Sequence, residues 1–201
     1  MSSSSEIEIS VIIPIYNEEQ IIRDLYERLS KTIRSITGSF ELIFINDGSH
    51  DRSLDELIRL SQIDSHVFYI NFSRNFGHQI AVTAGLDYCR GKSVVLIDGD
   101  LQDPPELIAE LYSRMKEGFE VVYAQRKRRE GESIFKKLTA KLFYRIMQRY
   151  TSVNIPVDTG DFRIMDRKIV DYLKKMPEQN KFIRGQVAWL GFRQSNVLYT
   201  R

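Results

Sequence analysis

A single cysteine, Cys89, among 201 residues rules out an internal disulfide, so the chain depends on a packed core and a reducing compartment is the natural setting. Histidine is almost as scarce. His50, His66 and His78 are scattered without the spacing of a ligand set, which argues against a histidine metal centre. No apolar run approaches the roughly 20 residues that a membrane-crossing helix needs. The start has neither the charged nor the apolar region of a secretory signal, so residues 1–6 read as a disordered lead. Charge of one sign is also lacking: 29 Lys and Arg stand against 27 Asp and Glu, a net charge of +2 that gives no argument for nucleic-acid binding. Pro14 to Gln20 contains no glycine, which excludes the G-x-G-x-x-G turn of a dinucleotide-binding first strand.

What is present is alternation. Short apolar runs trade places with longer segments of helical period, the pattern of a mostly parallel, Rossmann-like α/β sheet flanked by helices in one domain spanning 1–201. Strands are expected over Ile9 to Tyr16, Phe40 to Ile45, Val67 to Phe72, Ser93 to Ile97 and Glu120 to Ala124. Helices are expected over Glu19 to Ile36, Ser53 to Ile63, His78 to Cys89 and Pro104 to Lys116. The fourth strand is continuously apolar from Val94 to Ile97, as a strand covered on both faces should be. Past Gln125 the alternation weakens. A basic helix, an acidic turn over Asp158 to Asp161, a strand from Phe162 to Met165, a helix after Asp166 and a last strand from Phe192 to Tyr199 complete the reading.

Ligands in such sheets bind beyond the carboxyl ends of the strands. Three strands end there in acids: Glu18 after the first, Asp47 after the second, Asp98 and Asp100 after the fourth. Asp98 and Asp100 flank Gly99, and a tight turn can aim two carboxylates at one hard cation, Mg²⁺ or Mn²⁺, that also holds the phosphates of a nucleotide. An ordinary Asp-Gly turn is the plainer alternative. Asp47 could bind a base or ribose, or the Asp47–Asp51 stretch could merely cap a helix; Glu18 could be an acid favoured by a helix start. Asp158, Asp161 and Arg163 gather two carboxylates and a guanidinium within six residues, suited to an acceptor side where an Asp acts as base or orients the acceptor, or else to a turn closed by an ion pair. From Ser133 to Tyr150, apolar residues at helical spacing interleave with Lys136, Lys137, Lys141, Arg145 and Arg149. That pattern suits a helix lying on anionic lipid, and equally a core-packed helix with a solvated basic face.

The runs VIIPIYNE (Val11 to Glu18), NDGS (Asn46 to Ser49), SRNFG (Ser73 to Gly77), DGDLQDPPE (Asp98 to Glu106) and DTGDFR (Asp158 to Arg163) resemble, in order and over nearly the whole chain, family 2 glycosyltransferases of the polyprenyl-phosphate group. That group includes dolichol-phosphate mannosyltransferases and the bacterial enzymes that charge undecaprenyl phosphate with glucose. The resemblance implies a GT-A fold and an inverting, metal-dependent transfer of a hexose from a UDP- or GDP-sugar to a polyprenyl phosphate at the cytoplasmic face of a membrane. It implies that Pro14, Tyr16, Glu18, Ile45 and Asp47 hold the nucleoside, and that Asp98, Gly99, Asp100 and Gln102 serve the metal and diphosphate. Arg126 would contact phosphate, Asp161 would act as base with Asp158 as second choice, and Arg163 and Arg201 would hold the acceptor phosphate. Similar proteins commonly continue into a Gly-x-Ser-Lys segment and, in many members, C-terminal membrane helices; this chain stops at Arg201, so it is expected to lack the membrane-anchoring part, either by truncation or as a compact member. A homo-oligomer is compatible with this reading. A non-lipid acceptor, glycan or protein, and a noncatalytic nucleotide-sugar-binding domain are the alternatives.

Overall fold

The computed structural model describes residues 6–127, 159–178 and 181–200. The basic segment expected to be helical, Asp158 and Arg201 lie outside them. Five strands and four helices alternate first: β1 (Ile9–Ile15), α1 (Ile22–Arg34), β2 (Phe40–Asn46), α2 (Ser53–Ile63), β3 (Val67–Asn71), α3 (His78–Tyr88), β4 (Ser93–Leu96), α4 (Leu107–Lys116) and β5 (Val121–Arg126). After the undescribed stretch come β6 (Thr159–Asp166), α5 (Arg167–Lys175), α6 (Ile183–Trp189) and β7 (Gln194–Tyr199).

Among the described residues the strands form one sheet in the order β3-β2-β1-β4-β6-β5-β7. β1 pairs in parallel with β2 and β4, β2 with β3, and β5 with β7. β6 alone runs antiparallel, wedged between β4 and β5. The expected acidic turn is therefore partly strand: Thr159, Gly160 and Asp161 extend β6, and Asp161 sits near the carboxyl end of β4 because the two strands run in opposite directions.

Side-chain alternation divides the core into two layers. Ile9, Val11, Ile13 and Ile15 of β1, with Phe40, Leu42 and Phe44 of β2, meet Leu25, Leu29 and Ile33 of α1, Leu57 of α2 and Ile108 and Leu111 of α4. On the opposite face Ile12, Ile43, Ile45, Val94 and Leu96 meet Ala81, Val82 and Leu86 of α3, Ile169, Val170 and Leu173 of α5, and Ile183 and Val187 of α6. Nearly all these residues are fully buried, each contributing about 1.5–3 kcal/mol relative to exposure. The sheet so held is a rigid platform whose carboxyl rim carries the site. Among the described residues no helix is long and apolar enough to cross a membrane.

Candidate functional site

At the carboxyl ends of β1, β2 and β4 lies a cleft of about 400 Å³, lined by Pro14, Ile15, Tyr16, Glu18, Asp47, Asn75, Gly77, His78, Asp98, Gly99 and Asp100. The volume falls in the range usual for small-molecule sites. Two non-glycine residues on this rim adopt positive φ, Asn17 at 57° after β1 and Leu101 at 54° after the Asp98–Asp100 turn. A bulky residue in that region is held there against a cost of about 1–3 kcal/mol. Leu101 is anchored because its side chain packs on the core, and Asn17 because its backbone N–H donates to Ser49 Oγ at 2.9 Å while its Oδ1 accepts from His50 N at 2.8 Å. Gly99 has no room for a side chain: a Cβ there would stand 2.4 Å from Ile15 Cδ1 and 2.8 Å from the Pro14 carbonyl oxygen, so the turn between the two aspartates lies directly on β1.

Asp47 is buried, and both its oxygens are engaged: Oδ1 accepts from Phe76 N at 2.7 Å and Oδ2 from Gly77 N at 2.9 Å. It thereby folds the loop before α3 over the cleft. Burial, with the charges of Asp100 and Asp51, raises the Glu18 carboxyl above its usual range. Ile45 is packed in the core on the α3 face and does not line the cleft.

Asp98 and Asp161 are brought together by a residue that the sequence reading set aside. His78 Nε2 lies 3.0 Å from Asp161 Oδ2 and 3.6 Å from Asp98 Oδ1. Gln79 Nε2 donates to the same Asp161 oxygen at 3.3 Å, while Oδ1 faces Arg184 Nε at 3.4 Å and Arg163 Nη2 at 3.6 Å. Burial works to raise the Asp161 carboxyl, but the His78 hydrogen bond and the charges of Arg163 and Arg184 outweigh it and hold the group at about 2. The hydrogen bond to Asp161 in turn raises the His78 imidazole, despite burial, with help from the charges of Asp98, Asp161 and Asp47. Asp98 goes the other way. Burial pushes it up, His78 offsets part of this, and the neighbouring charges of Asp161, Asp100 and Asp103 add to the rise.

That crowding of carboxylates is what a cation relieves. Among the described residues no three His, Cys, Asp or Glu side chains converge as a metal cage. Mg²⁺ commonly takes only one or two carboxylates and completes its shell with water and phosphate oxygens. The donor set here, Asp98 with Asp100, fits a hard divalent ion shared with a diphosphate. Asp100 Oδ1 already accepts from Gln102 N at 2.9 Å, which steadies the turn through the backbone of Gln102.

Two expected phosphate ligands are engaged with the protein itself. Arg163 is buried, and its Nε and Nη2 donate to the carbonyl oxygens of Asp161 and Gly160, each at 3.1 Å; burial lowers its guanidinium to about 10. Arg126 Nε donates to Tyr199 Oη at 2.9 Å and its Nη2 to Asp103 Oδ1 at 2.9 Å, leaving the guanidinium partly exposed. His78, Gln79, Asp103 and Arg184 are the site neighbours that sequence reasoning missed. A signal for the helix carrying Arg184 was available in Ile183 and Val187, buried at i and i+4. None was available for His78, whose partner is 83 residues away.

Against known proteins, the model of glycosyl transferase family 2 matches residues 10–173. The chain is 53% identical over 198 residues to the uncharacterized glycosyltransferase YkcC of Bacillus subtilis (strain 168), covering 98% of this chain and 61% of that one. It is 36% identical over 193 residues to the prophage bactoprenol glucosyl transferase homolog of Escherichia coli (strain K12), covering 96% and 63%. The chain thus spans about three-fifths of the length of these relatives. Among solved structures, the mannosyltransferase PcManGT from Pyrobaculum calidifontis, in complex with GDP-Man and Mn²⁺, superposes with a TM-score of 0.69 at 15% identity, over 98% of this chain and 57% of that one. Glucosyl-3-phosphoglycerate synthase from Mycobacterium tuberculosis, with Mn²⁺, UDP and phosphoglyceric acid, superposes with a TM-score of 0.63 at 20% identity, over 96% and 68%. The sheet order, the acidic rim at the ends of β1, β2 and β4 and these likenesses agree: the fold is GT-A, and the chain belongs to glycosyl transferase family 2.

Proposed function

We propose that this chain is the catalytic part of an inverting hexosyltransferase, which moves a hexose from a UDP- or GDP-sugar to a polyprenyl phosphate at the cytoplasmic face of a membrane. The observation that carries the reading is the meeting of Asp98 and Asp161 at one histidine on the cleft wall, which sets a diphosphate-side acid beside an acceptor-side acid. The lipid acceptor is supported by relatives named as bactoprenol glucosyl transferases. The nucleotide-sugar donor is supported by fold neighbours solved with GDP-Man and with UDP-GlcNAc.

In this reading the nucleoside lies against Pro14, Tyr16 and Glu18, on the floor that Asp47 organises, and the diphosphate lies toward Asp98 and Asp100. These two aspartates would hold Mg²⁺ or Mn²⁺, which would supply positive charge against the leaving diphosphate. Arg126, which Asp103 holds beside the turn after β4, would contact the same phosphates. An acceptor phosphate oxygen attacks the anomeric carbon from the face opposite the diphosphate and inverts it. A carboxylate at about 2 is a weak base, and a phosphate monoester with a second pKa of about 6 is already mostly dianionic at neutral pH. Asp161 therefore acts by holding Arg184 toward the acceptor phosphate more than by deprotonating it. Arg184, beside Asp161, offers the acceptor phosphate a cation, and Arg163 fixes the Asp161 backbone from behind. Asp158 and Arg201 remain candidates by the motif alone.

The test is to incubate the protein and Mg²⁺ or Mn²⁺ with a panel of UDP- and GDP-hexoses, and with undecaprenyl phosphate, dolichyl phosphate or a soluble glycan as acceptor. Transfer to a polyprenyl phosphate from one donor is expected. Transfer to the glycan alone, or to none of them, overturns the reading.

A further inference from the structure

Residues 76–79, between the end of the β3 loop and the first turn of α3, touch three parts of the site that the sequence keeps far apart. The N–H groups of Phe76 and Gly77 are both spent on Asp47, at the floor beneath the nucleoside side. His78 and Gln79 reach across to Asp161 on β6, both to its Oδ2. Gln79 Oε1 also accepts from the backbone N–H of Ile183 at 3.2 Å, which ties the start of α6, and with it Arg184, to the same segment. Asp161 thus has one oxygen gripped by the α3 loop, and its other oxygen faces the two arginines.

We propose that His78 is a positioning residue for the transfer reaction: by donating from Nε2 it fixes the rotamer of Asp161, so that Oδ1 with Arg184 presents a preset surface to the acceptor. The inference rests on the proposed function and adds to it. Because Phe76 and Gly77, which lead into His78, are hung on Asp47, an ordered donor floor and an aimed Asp161 are linked through one short segment. Asp161 side-chain exposure is only 13%, so its carboxylate has little water to hold it; its orientation depends on its protein donors. His78 is 39% exposed and adds little to the core, so its loss should not cost the fold.

Three substitutions separate a positioning role from a structural one. The Gln side chain places an N–H where the imidazole Nε2 stood, whereas the shorter Asn side chain reproduces only the Nδ1 end. With donor saturating, His78→Ala and His78→Asn should lower kcat by about 100-fold, the loss expected when a reacting group is misplaced by a small distance. His78→Gln should keep it within about tenfold of the parent. With donor saturating, kcat is read free of any change in the Kd for UDP or GDP that the loss of His78 from the cleft wall brings. Equal losses in the Gln and Asn variants, or parent-like kcat in the Ala variant, would each overturn the proposal. Crystal structures of the parent and of His78→Ala decide it independently of turnover: the Asp161 carboxylate should leave its position near α3 in the variant, and an unmoved carboxylate refutes the role. If the parent transfers no hexose, the transferase reading has failed, while the Asp161 rotamer still decides the positioning role.

Discussion

Arg126 Nη2 donates to Asp103 Oδ1 at 2.9 Å, and so the last acid of the turn after β4 holds the last residue of β5. Tyr199, at the end of β7, gives its hydroxyl to the same Asp103 oxygen. The buried Asp103 thus clamps the turn after β4 to two strands across the antiparallel β6. Asp103→Ala should cost about 1–3 kcal/mol of unfolding free energy, the usual result of stripping a buried acceptor from its donors. Chemical denaturation measures that loss. On the proposed reading, in which Arg126 contacts the diphosphate, the same variant should also weaken nucleotide binding, since it loses the Asp103 partner of that guanidinium.

Asp98 is held in the fold where its ionised form is disfavoured. Burial and the nearby carboxylates raise it above its ordinary value, so its ionised form is disfavoured in the fold and it opposes stability at neutral pH. Asp98→Asn should therefore raise Tm in the presence of a chelator and abolish any gain in Tm from Mn²⁺ with UDP or GDP. A thermal-shift series with and without Mn²⁺ reads both effects.

Gly48 closes the turn after β2 at φ +67°, and a Cβ there would stand 2.2 Å from the carbonyl carbon of Arg74 and 2.5 Å from Asn75 N. Both obstacles are backbone and cannot rotate away. Gly48→Ala should cost more than about 1 kcal/mol, because the native conformation is incompatible with a side chain. It should loosen the Arg74–Gly77 loop that Asp47 holds; faster hydrogen exchange at Phe76 and Gly77 is the signature to look for.

Acid should unfold the protein through a small set of carboxylates. Burial works to raise the Asp64 carboxyl, but the hydrogen bonds from His66 and Tyr26 outweigh it and bring it to about 2, the same value as Asp161. A depressed pKa contributes stability that is present above the unfolded value of 3.8 and disappears as pH falls toward 2. Asp98 and Glu18, both raised, have the opposite sign and partly offset the loss over the upper part of that window. Urea titrations from pH 5 down to about pH 2 should show a falling unfolding free energy. Asp64→Asn should flatten that fall and lower stability at neutral pH.

Much of this architecture is written in local pattern. The apolar runs of β1 to β4 and the helical periods of α1 to α4 are visible because each element's burial is decided by its own residues; Val94 to Leu96, fully buried, are apolar in sequence for that reason. The first helix begins three residues later than its periodicity suggests, and Glu18 and Glu19 spend their N–H groups instead on Ser53, the first residue of α2, and on Asp51 just before it. The position of β6 is not local. Arg163 pairs with Leu96 on one side and Tyr123 on the other, and nothing within the segment announces either partner. For the same reason Asp98, Asp100 and Asp47 were legible as acids ending strands, whereas His78 looked isolated: its role depends on a strand insertion that brings Asp161 to it from the far end of the chain. Arg163 carried the opposite lesson. Its motif position suggests a ligand contact, and its buried guanidinium is spent on backbone carbonyls.

In the proposed function Asp98 and Asp100 share a divalent ion with a nucleotide diphosphate. Calorimetric titration of UDP and GDP into the protein, with Mn²⁺ and then with chelator, tests it most directly, with Asp100→Asn as the partner sample. Mn²⁺ should tighten binding to the parent by at least about tenfold, a difference of about 1.4 kcal/mol, and bring no such gain to the variant, whose Tm stays near that of the parent. Equal affinity with Mn²⁺ and with chelator in the parent would contradict it.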